Sequence, residues 1–590
     1  MRRLLLYVHF NKYHQFSPHV YYQLEKINPI FSKVVFLSNS NMPQEEVEKL
    51  QERGLIHHFI QRENSGFDFA AWRDGMNFIG FEELKEYDSV TLMNDTCFGP
   101  LWDLQEQYDR FESDPDVDFW GMTNNRKTHL FDEHIQSYFI SFSNRVVRSE
   151  AFQEFWKNVK TIDDVQSVIY TYEAPVTTHL TKAGFKYQVV FNTVNESLEG
   201  MPHPDFSFYN PTAILRKKVP LFKVKAFLGN QITAPFLIDE IERVSDYPIE
   251  LIVSHMSVIH GPTENYLLGR KYLKNAELDV ELLKDKKIAI HLHTFYVDLL
   301  EDFLKIFQTY RFEYDLLITT NTEEKSDEIK QILADFGTTA LVKVTGNIGR
   351  DVLPMLELKD ELEHYDYIGH FHTKKSKEAD YWAGQSWRTE LIEMLVKPAN
   401  EIVANLSQKD ELGLVIADIP SYFRYVKMDP WVEMGMLPWM VDLWQRMGIK
   451  RDMPFHESHV YVMSYGTYMW FKYDSLKPLF ELGLSKDEVP KEPLPQNTIL
   501  HAFERMPVYV NWARGYDFRI VENPNHITPF VDNKLINRRH ENQFSPYAYV
   551  DFNKHGGLTG AFKFMRTSFV NSSKYILKRI YLKIRGKKHM

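Results

Sequence analysis

Two stretches of the chain alternate short apolar runs with helix-like amphipathic runs in the same order, and this internal repeat restricts the fold more than any other feature. The first reads as a strand at Leu4–Phe10, a helix near Pro18–Ile27, a strand at Lys33–Ser40 and a helix near Gln44–Arg53. Later strands are expected at Ile56–Gln61, Ser89–Met93, Gln136–Phe142 and Phe185–Phe191. The second has strands at Ile288–His293, Asp315–Thr320, Ala340–Val344 and Tyr367–His372, with helices starting near Val297 and Glu324. Parallel strands need crossover connections, and helices supply them, so both stretches predict a largely parallel sheet of the α/β class. Residues match as well as order. His9 pairs with His293, Asn39 with Asn321, Asn64 to Asp68 with Asn347 to Asp351, Tyr87-Asp88 with Tyr365-Asp366, and Ser137-Tyr138 with Ser464-Tyr465. Weak pairings in one common order point to two copies of a single module.

The expected organisation is a first module over 1–200, a connector or insertion over 201–285, a second module over 286–525 and a tail over 526–590. A chain of 590 residues exceeds one hydrophobic core, and 44% hydrophobic with 25% charged residues is the balance of a globular protein, which excludes bulk disorder. The single cysteine, Cys97, excludes an intrachain disulfide framework and a cysteine-rich metal site, and points to an intracellular chain. The net charge of -11 argues against nucleic acid as a partner. The tail reverses that sign: Lys563, Arg566, Lys574, Lys578, Arg579, Lys583, Arg585, Lys587 and Lys588 follow with no acidic residue after Asp551. Phe562, Met565, Phe569, Ile576 and Ile580 interleave with them, which predicts a basic amphipathic helix lying on an anionic membrane surface. No apolar run approaches the roughly 18 residues of a spanning helix. The expected location is therefore cytoplasmic and peripheral, on the inner face of the cell membrane.

Three elements of the first module carry candidate chemistry. Asn64 to Asp68, followed by a helix containing Arg73, offers a glycine at Gly66 and a helix N-terminus where a nucleotide diphosphate could lie. The same residues would equally make a capped surface turn. Val90 to Thr96 is an apolar strand ending in Asn94-Asp95, at the edge where α/β sheets place ligands. A carboxylate there can hold a divalent metal, Mg2+ or Mn2+, against phosphates, or simply turn the chain. Glu173 stands where a general base for a hydroxyl acceptor would, or is a helix-start acid.

In the second module the corresponding positions are Asn347, Gly349 and Asp351, then His372 followed by Lys374 and Lys375. Two ammonium groups can neutralise a diphosphate without a metal, or decorate a solvated loop. The base there would be Glu492 or Glu504, or absent.

These elements resemble inverting glycosyltransferases of the GT-A type. More narrowly, Gly66-Phe67-Asp68-Phe69-Ala70-Ala71-Trp72, Tyr365-Asp366-Tyr367-Ile368, His372 to Ser376 and His501-Ala502-Phe503-Glu504-Arg505 resemble the streptococcal rhamnan synthesis protein F family. The resemblance implies two tandem GT-A-like, Rossmann-type modules. It also implies an α-L-rhamnosyltransferase that takes dTDP-β-L-rhamnose and extends a cell-wall rhamnan on an undecaprenyl-diphosphate carrier, beside other polysaccharide-assembly glycosyltransferases. By the same resemblance Asp95 takes the metal-diphosphate position and Glu173 the base position. The family pattern of two carboxylates is here Met93-Asn94-Asp95, with one. A non-catalytic polysaccharide or lipid-carrier scaffold, and a transferase for another sugar donor, are the alternatives.

Overall fold

A computed structural model describes residues 1–128, 131–199, 201, 203–228, 234–262, 269–373, 381–421, 435–455, 461–492, 494–495, 497–525 and 557–584. The chain divides into two compact units, Met1–Ile259 and His260–Met590, so the boundary falls inside the stretch expected to connect the modules.

The first unit is built on strands β1 (Arg3–His9), β2 (Lys33–Ser38), β3 (His58–Gln61), β4 (Ser89–Asn94), β5 (Cys97–Phe98), β6 (Phe119–Asn125), β7 (His134–Ile135), β8 (Phe139–Ser143), β9 (Tyr187–Phe191) and β10 (Phe222–Lys223). Its main sheet runs β3-β2-β1-β4-β8-β6-β7, with β9 also on β6. The first four strands are parallel, β8 is antiparallel to β4, and β9 is parallel to β6. Both faces of β1 are covered, which is why it reads as an unbroken apolar run. Leu4, Leu6 and Val8 meet Phe69 and Trp72 of the Phe67–Ile79 helix, while Tyr7 stacks on Phe36 at 5.2 Å.

The second unit carries β11 (Ile288–His293), β12 (Asp315–Thr320), β13 (Leu341–Val344), β14 (Tyr367–His372), β15 (Leu412–Ala417), β16 (Met469–Lys472) and β17 (Asp517–Val521). Their order is β13-β12-β11-β14-β16-β15-β17, again with four parallel strands, an antiparallel fifth and a parallel last strand. This is the order of the first unit with β9 in the place of β17 and with β7 as an extra strand of the first sheet. Each is a doubly wound α/β module of the Rossmann type, as expected. Each also has a topological switch point, between β1 and β4 and between β11 and β14, where open α/β sheets hold ligands outside their carboxyl ends.

The paired sheets correct two sequence alignments. Asp88 takes the Arg2 N–H and Asp366 the Lys287 N–H, each returning its own N–H to the same residue's carbonyl. This fixes Arg3 against Ile288 and therefore Val8, not His9, against His293. A one-residue offset reverses the face. His9 lies against Phe16 and Phe36, whereas His293 shares the face of Ala289, which packs on Val352 and Leu353. The same register, with Leu92 opposite Ile140 and His370 opposite Met469, sets Ser137 against Gly466 rather than Ser464.

Gly557–Ile584 is helical and exposes Leu558, Phe562, Met565, Phe569, Ile576 and Ile580. Among the described residues no helix is long and apolar enough to cross a membrane.

Candidate active site

In the first unit the carboxyl ends of β1 and β4 come together around Asp95. The Phe10 N–H donates to Asp95 Oδ2 at 3.0 Å, and His9 Nε2 lies 3.8 Å from the same oxygen. Asn94 donates its Nδ2 amide to Asp68 Oδ2 at 2.7 Å, while its Oδ1 accepts from Thr96 N at 3.3 Å and Thr96 Oγ1 at 2.6 Å. Asp68 is carried by the first turn of the Phe67–Ile79 helix, which the chain enters through Gly66 at φ +70 and Phe67 at φ +49. A side chain at Gly66 would place its Cβ 2.5 Å from the Ala70 Cβ, so glycine is required there.

Glu173 ends a π-helical turn, Ile169–Glu173, and starts the Ala174–Lys182 helix. It accepts the Ser137 N–H at 3.2 Å, which brings it beside the start of β8 and into the field of Asp68. Burial raises Asp68 to about 6, with the Glu173 charge adding to it and the Asn94 hydrogen bond opposing it. Burial raises Asp95 to about 8, with Asp68 adding to it and the Phe10 N–H opposing it. Closely placed carboxylates that hold their protons this firmly mark a site built for something other than stability.

The remaining expected residues sit further out. Asn64 is exposed on the loop. Arg73 is turned to the Asp74 carboxylate and the Val159 carbonyl at 2.9 Å, where it ties the helix to its neighbour. The Gly66 N–H, expected to be open to a phosphate, donates to Asp163 Oδ1 at 3.2 Å. Sequence reasoning passed over Lys223. Its strand β10 pairs antiparallel with β5, Lys223 opposite Cys97, and the Val224 N–H donates to the Thr96 carbonyl at 2.9 Å. The Lys223 ammonium therefore lies over the Tyr138 ring at 4.6 Å and within the fields of Glu173, Asp205 and Asp68. The alternation Leu221-Phe222-Lys223-Val224-Lys225 was the available signal for a short strand.

The second unit repeats the backbone and changes the chemistry. Gly349 at φ +86 and Arg350 at φ +53 lead into Asp351, as Gly66 and Phe67 lead into Asp68. His372 takes the place of Asn94 and Thr373 that of Asp95. Asp351 receives the Thr467 hydroxyl, and His370 Nε2 and His372 Nε2 lie 3.4 and 4.0 Å from its oxygens. Burial opposes ionisation of Asp351, but the His372 charge and the His370 hydrogen bond hold it well below the usual carboxylate range. Behind it, His370 Nδ1 meets His291 Nδ1 at 2.9 Å, and Thr319 Oγ1 bridges His291 Nε2 and His293 Nδ1, each at 2.9 Å. Burial holds His293 down at about 3 and His291 well below its ordinary value, so both are neutral.

Glu504 Oε1 accepts the Gly466 N–H, the bond that Glu173 makes to Ser137 at the same register. Glu492 instead pairs with the neighbour of Asp351, Arg350, at 2.8 Å, with both side chains exposed. Asn347 is exposed. Lys374 and Lys375 lie outside the described residues. Among the described residues no group of three or more His, Cys, Asp or Glu side chains could hold a metal ion.

The family model for rhamnan synthesis protein F matches residues 34–516, across both modules, leaving out β1, the first residue of β2, β17 and the Gly557–Ile584 helix. The chain belongs to the rhamnan synthesis protein F family. Among curated relatives, the Sinorhizobium fredii protein y4gN is 29% identical over 28% of this chain and 43% of its own length. Virulence protein VirA of Vibrio anguillarum is 27% identical over 22% of this chain and 41% of its own. The chain thus spans less than half of the length of these relatives. Among solved structures, the glycosyltransferase GlyE of Streptococcus pneumoniae is 12% identical, covers 64% of this chain and 87% of its own, and has a TM-score of 0.24. Staphylococcus aureus TarS is 13% identical over 41% of this chain and 58% of its own, also at 0.24. At that level of superposition neither likeness adds to what family membership gives.

Proposed function

We propose that the chain is a glycosyltransferase of polysaccharide synthesis, with the nucleotide-sugar donor bound at the β1/β4 switch point of the first module. The observation that carries this reading is the meeting of Asp68, Asn94, Asp95 and Glu173 at one sheet edge, in a chain of the rhamnan synthesis protein F family. In its finer form the donor is dTDP-β-L-rhamnose and the acceptor a lipid-linked rhamnan on undecaprenyl diphosphate. The acceptor oxygen attacks the anomeric carbon, the bond to the diphosphate breaks with its electron pair going to the phosphate oxygen, and the hydroxyl proton passes to Glu173. One displacement inverts the centre, giving an α-linkage.

The two modules are read as a duplication, supported by their common strand order and by the matched Gly66-Phe67-Asp68 and Gly349-Arg350-Asp351 entries to a helix. Glu504 then stands as the second module's base candidate, at the position of Glu173. A divalent metal was the expectation at Asp95. Its fit is poor: Asn94 turns an amide toward Asp68, and its oxygen is taken by Thr96. No step is therefore assigned to a metal. The exposed apolar residues of the Gly557–Ile584 helix, among basic ones, support peripheral attachment to an anionic inner leaflet.

Incubation of the purified chain with dTDP-rhamnose and a rhamnosylated lipid acceptor tests the reading. Transfer that Glu173→Gln slows by about 10²-fold or more supports it. No transfer by the wild type, or transfer indifferent to Glu173→Gln, would sink it.

A further inference from the structure

The first module gathers carboxylates where a diphosphate should bind, and among the described residues Lys223 stands beside them without an ion pair. Lys225 is paired with Asp205, and Arg62 with Asp74 and Asn39. Lys223, half-buried between them and β5, has no hydrogen bond or ion pair among the described residues. The Tyr138 ring at 4.6 Å holds its ammonium without neutralising it, since a ring face attracts a cation but accepts none of its N–H groups in a strong bond. All three donors stay available to an incoming anion. Burial, with Lys225 nearby, makes the bare ammonium costly and holds its proton affinity below the ordinary amine value. An anionic ligand would relieve that cost.

We propose that the Lys223 ammonium meets the diphosphate of the nucleotide-sugar donor and offsets the charge that develops there as the sugar departs. This rests on the first module being the donor site. The motive is chemical. Of Met93-Asn94-Asp95 only Asp95 is a carboxylate, Asn94 is locked between Asp68 and Thr96, and among the described residues no group of three or more His, Cys, Asp or Glu side chains could hold a divalent ion. A positioned lysine supplies positive charge at the same edge with no ion to recruit. Asp68 and Asp95, raised to about 6 and about 8, add less negative charge at neutral pH than their number implies. As the anomeric bond breaks, its electron pair passes to the diphosphate oxygen, Lys223 stays protonated, and the acceptor's proton goes to Glu173.

The test titrates the full chain with dTDP, UDP and GDP in EDTA, by calorimetry, for wild type, Lys223→Met and Lys223→Arg. One nucleoside diphosphate binds the wild type in EDTA; Lys223→Met weakens it about thirtyfold or more, and Lys223→Arg stays within about threefold. Inorganic pyrophosphate competes with it in the wild type. Equal affinity in wild type and Lys223→Met, or binding that requires added Mg2+ or Mn2+, overturns the inference and leaves the donor-site reading standing. If none of the three binds the wild type with or without metal, the donor-site reading fails and Lys223 falls with it. Circular dichroism checks the fold, and Lys223→Gln, which keeps a polar but uncharged end, carries the comparison if the methionine variant does not fold.

Discussion

Replacing Asp95 by asparagine should stabilise the first unit at alkaline pH while impairing its function. Asp95 is raised to about 8 in the folded chain against an ordinary 3.8, because burial penalises its charge and Asp68 adds to the penalty. The sign follows from which state holds the proton more tightly. The folded chain does, so this group costs nothing below the unfolded value, and destabilises increasingly as pH rises from there to the folded value. Each tenfold difference in proton affinity is worth about 1.4 kcal/mol. The cost is then about 1.5 kcal/mol at pH 5 and on the order of 5 kcal/mol at pH 8. With 16% of the side chain still exposed, the loss expected between the two is about 2–4 kcal/mol. Urea unfolding of wild type and Asp95→Asn at pH 5 and pH 8, followed by a probe confined to the first unit, measures it. Asparagine fits the same space and still offers an oxygen to the Phe10 N–H. The wild type should lose stability across the interval and the variant should not, so the variant gains most at pH 8. If Asp95→Asn destabilises equally at both pH values, or the wild type is as stable at pH 8 as at pH 5 without the variant differing, the carboxylate is not strained and the reasoning fails.

Gly66→Ala should destabilise the first unit by about 2–4 kcal/mol, from φ +70 and a Cβ 2.5 Å from Ala70 and 3.1 Å from Thr161 Cγ2. Gly184→Ala, at φ +92 in open space, should cost only about 1–2 kcal/mol, and thermal melts of the two variants separate clash from backbone strain. Asp351 is held well below the carboxylate range, so its contribution to the second unit is present above the ordinary 3.8 and lost as pH falls below it. Asp351→Asn should lower stability at pH 7 by about 1–3 kcal/mol and flatten that acid-side loss in urea titrations, because His370 and Thr467 lose their charged acceptor. Truncation after residue 556 should abolish co-sedimentation with anionic vesicles, leaving dTDP binding intact; retained sedimentation would remove the helix from membrane attachment.

Much of the fold was legible because buried parallel strands read as continuous apolar runs and their helices as periodic ones. Position along a strand was not. The pairing of His9 with His293 follows the letters, but facing depends on a register that only the Asp88 and Asp366 hydrogen bonds fix. Glu173 and the Gly66 loop were readable as motif and turn. Choosing between Glu492 and Glu504 was not, since nothing local tells which carboxylate reaches the Gly466 N–H. Lys223 was hidden for a different reason. Its place depends on β10 pairing with β5, more than a hundred residues earlier, and a lone lysine in a stretch taken for a connector carries no sign of that. Asp163 likewise reaches the Gly66 N–H from a distant loop.

One backbone thus supports two charge balances. In the first module Asp95 keeps its proton up to about pH 8 and Asp68 only up to about pH 6, and Lys223 lies near them with no hydrogen bond or ion pair among the described residues. In the second, a single carboxylate stays ionised across physiological pH because Thr467, His370 and His372 surround it, and Thr373 replaces the other acid. Among the described residues of the second unit no strand pair corresponds to β5 and β10, so no lysine arrives at that edge by the same route. A diphosphate entering there would meet the Asp351 charge, whose partners already lie inside the protein, while Lys374 and Lys375 beside it lie outside the described residues. The feature both modules keep is the glutamate accepting a backbone N–H at the start of the antiparallel strand, Glu173 at Ser137 and Glu504 at Gly466. That position receives the acceptor's proton in the proposed reaction, whereas the positions that differ would face the donor. Acceptor handling can therefore be common to both modules while the donor side differs between them.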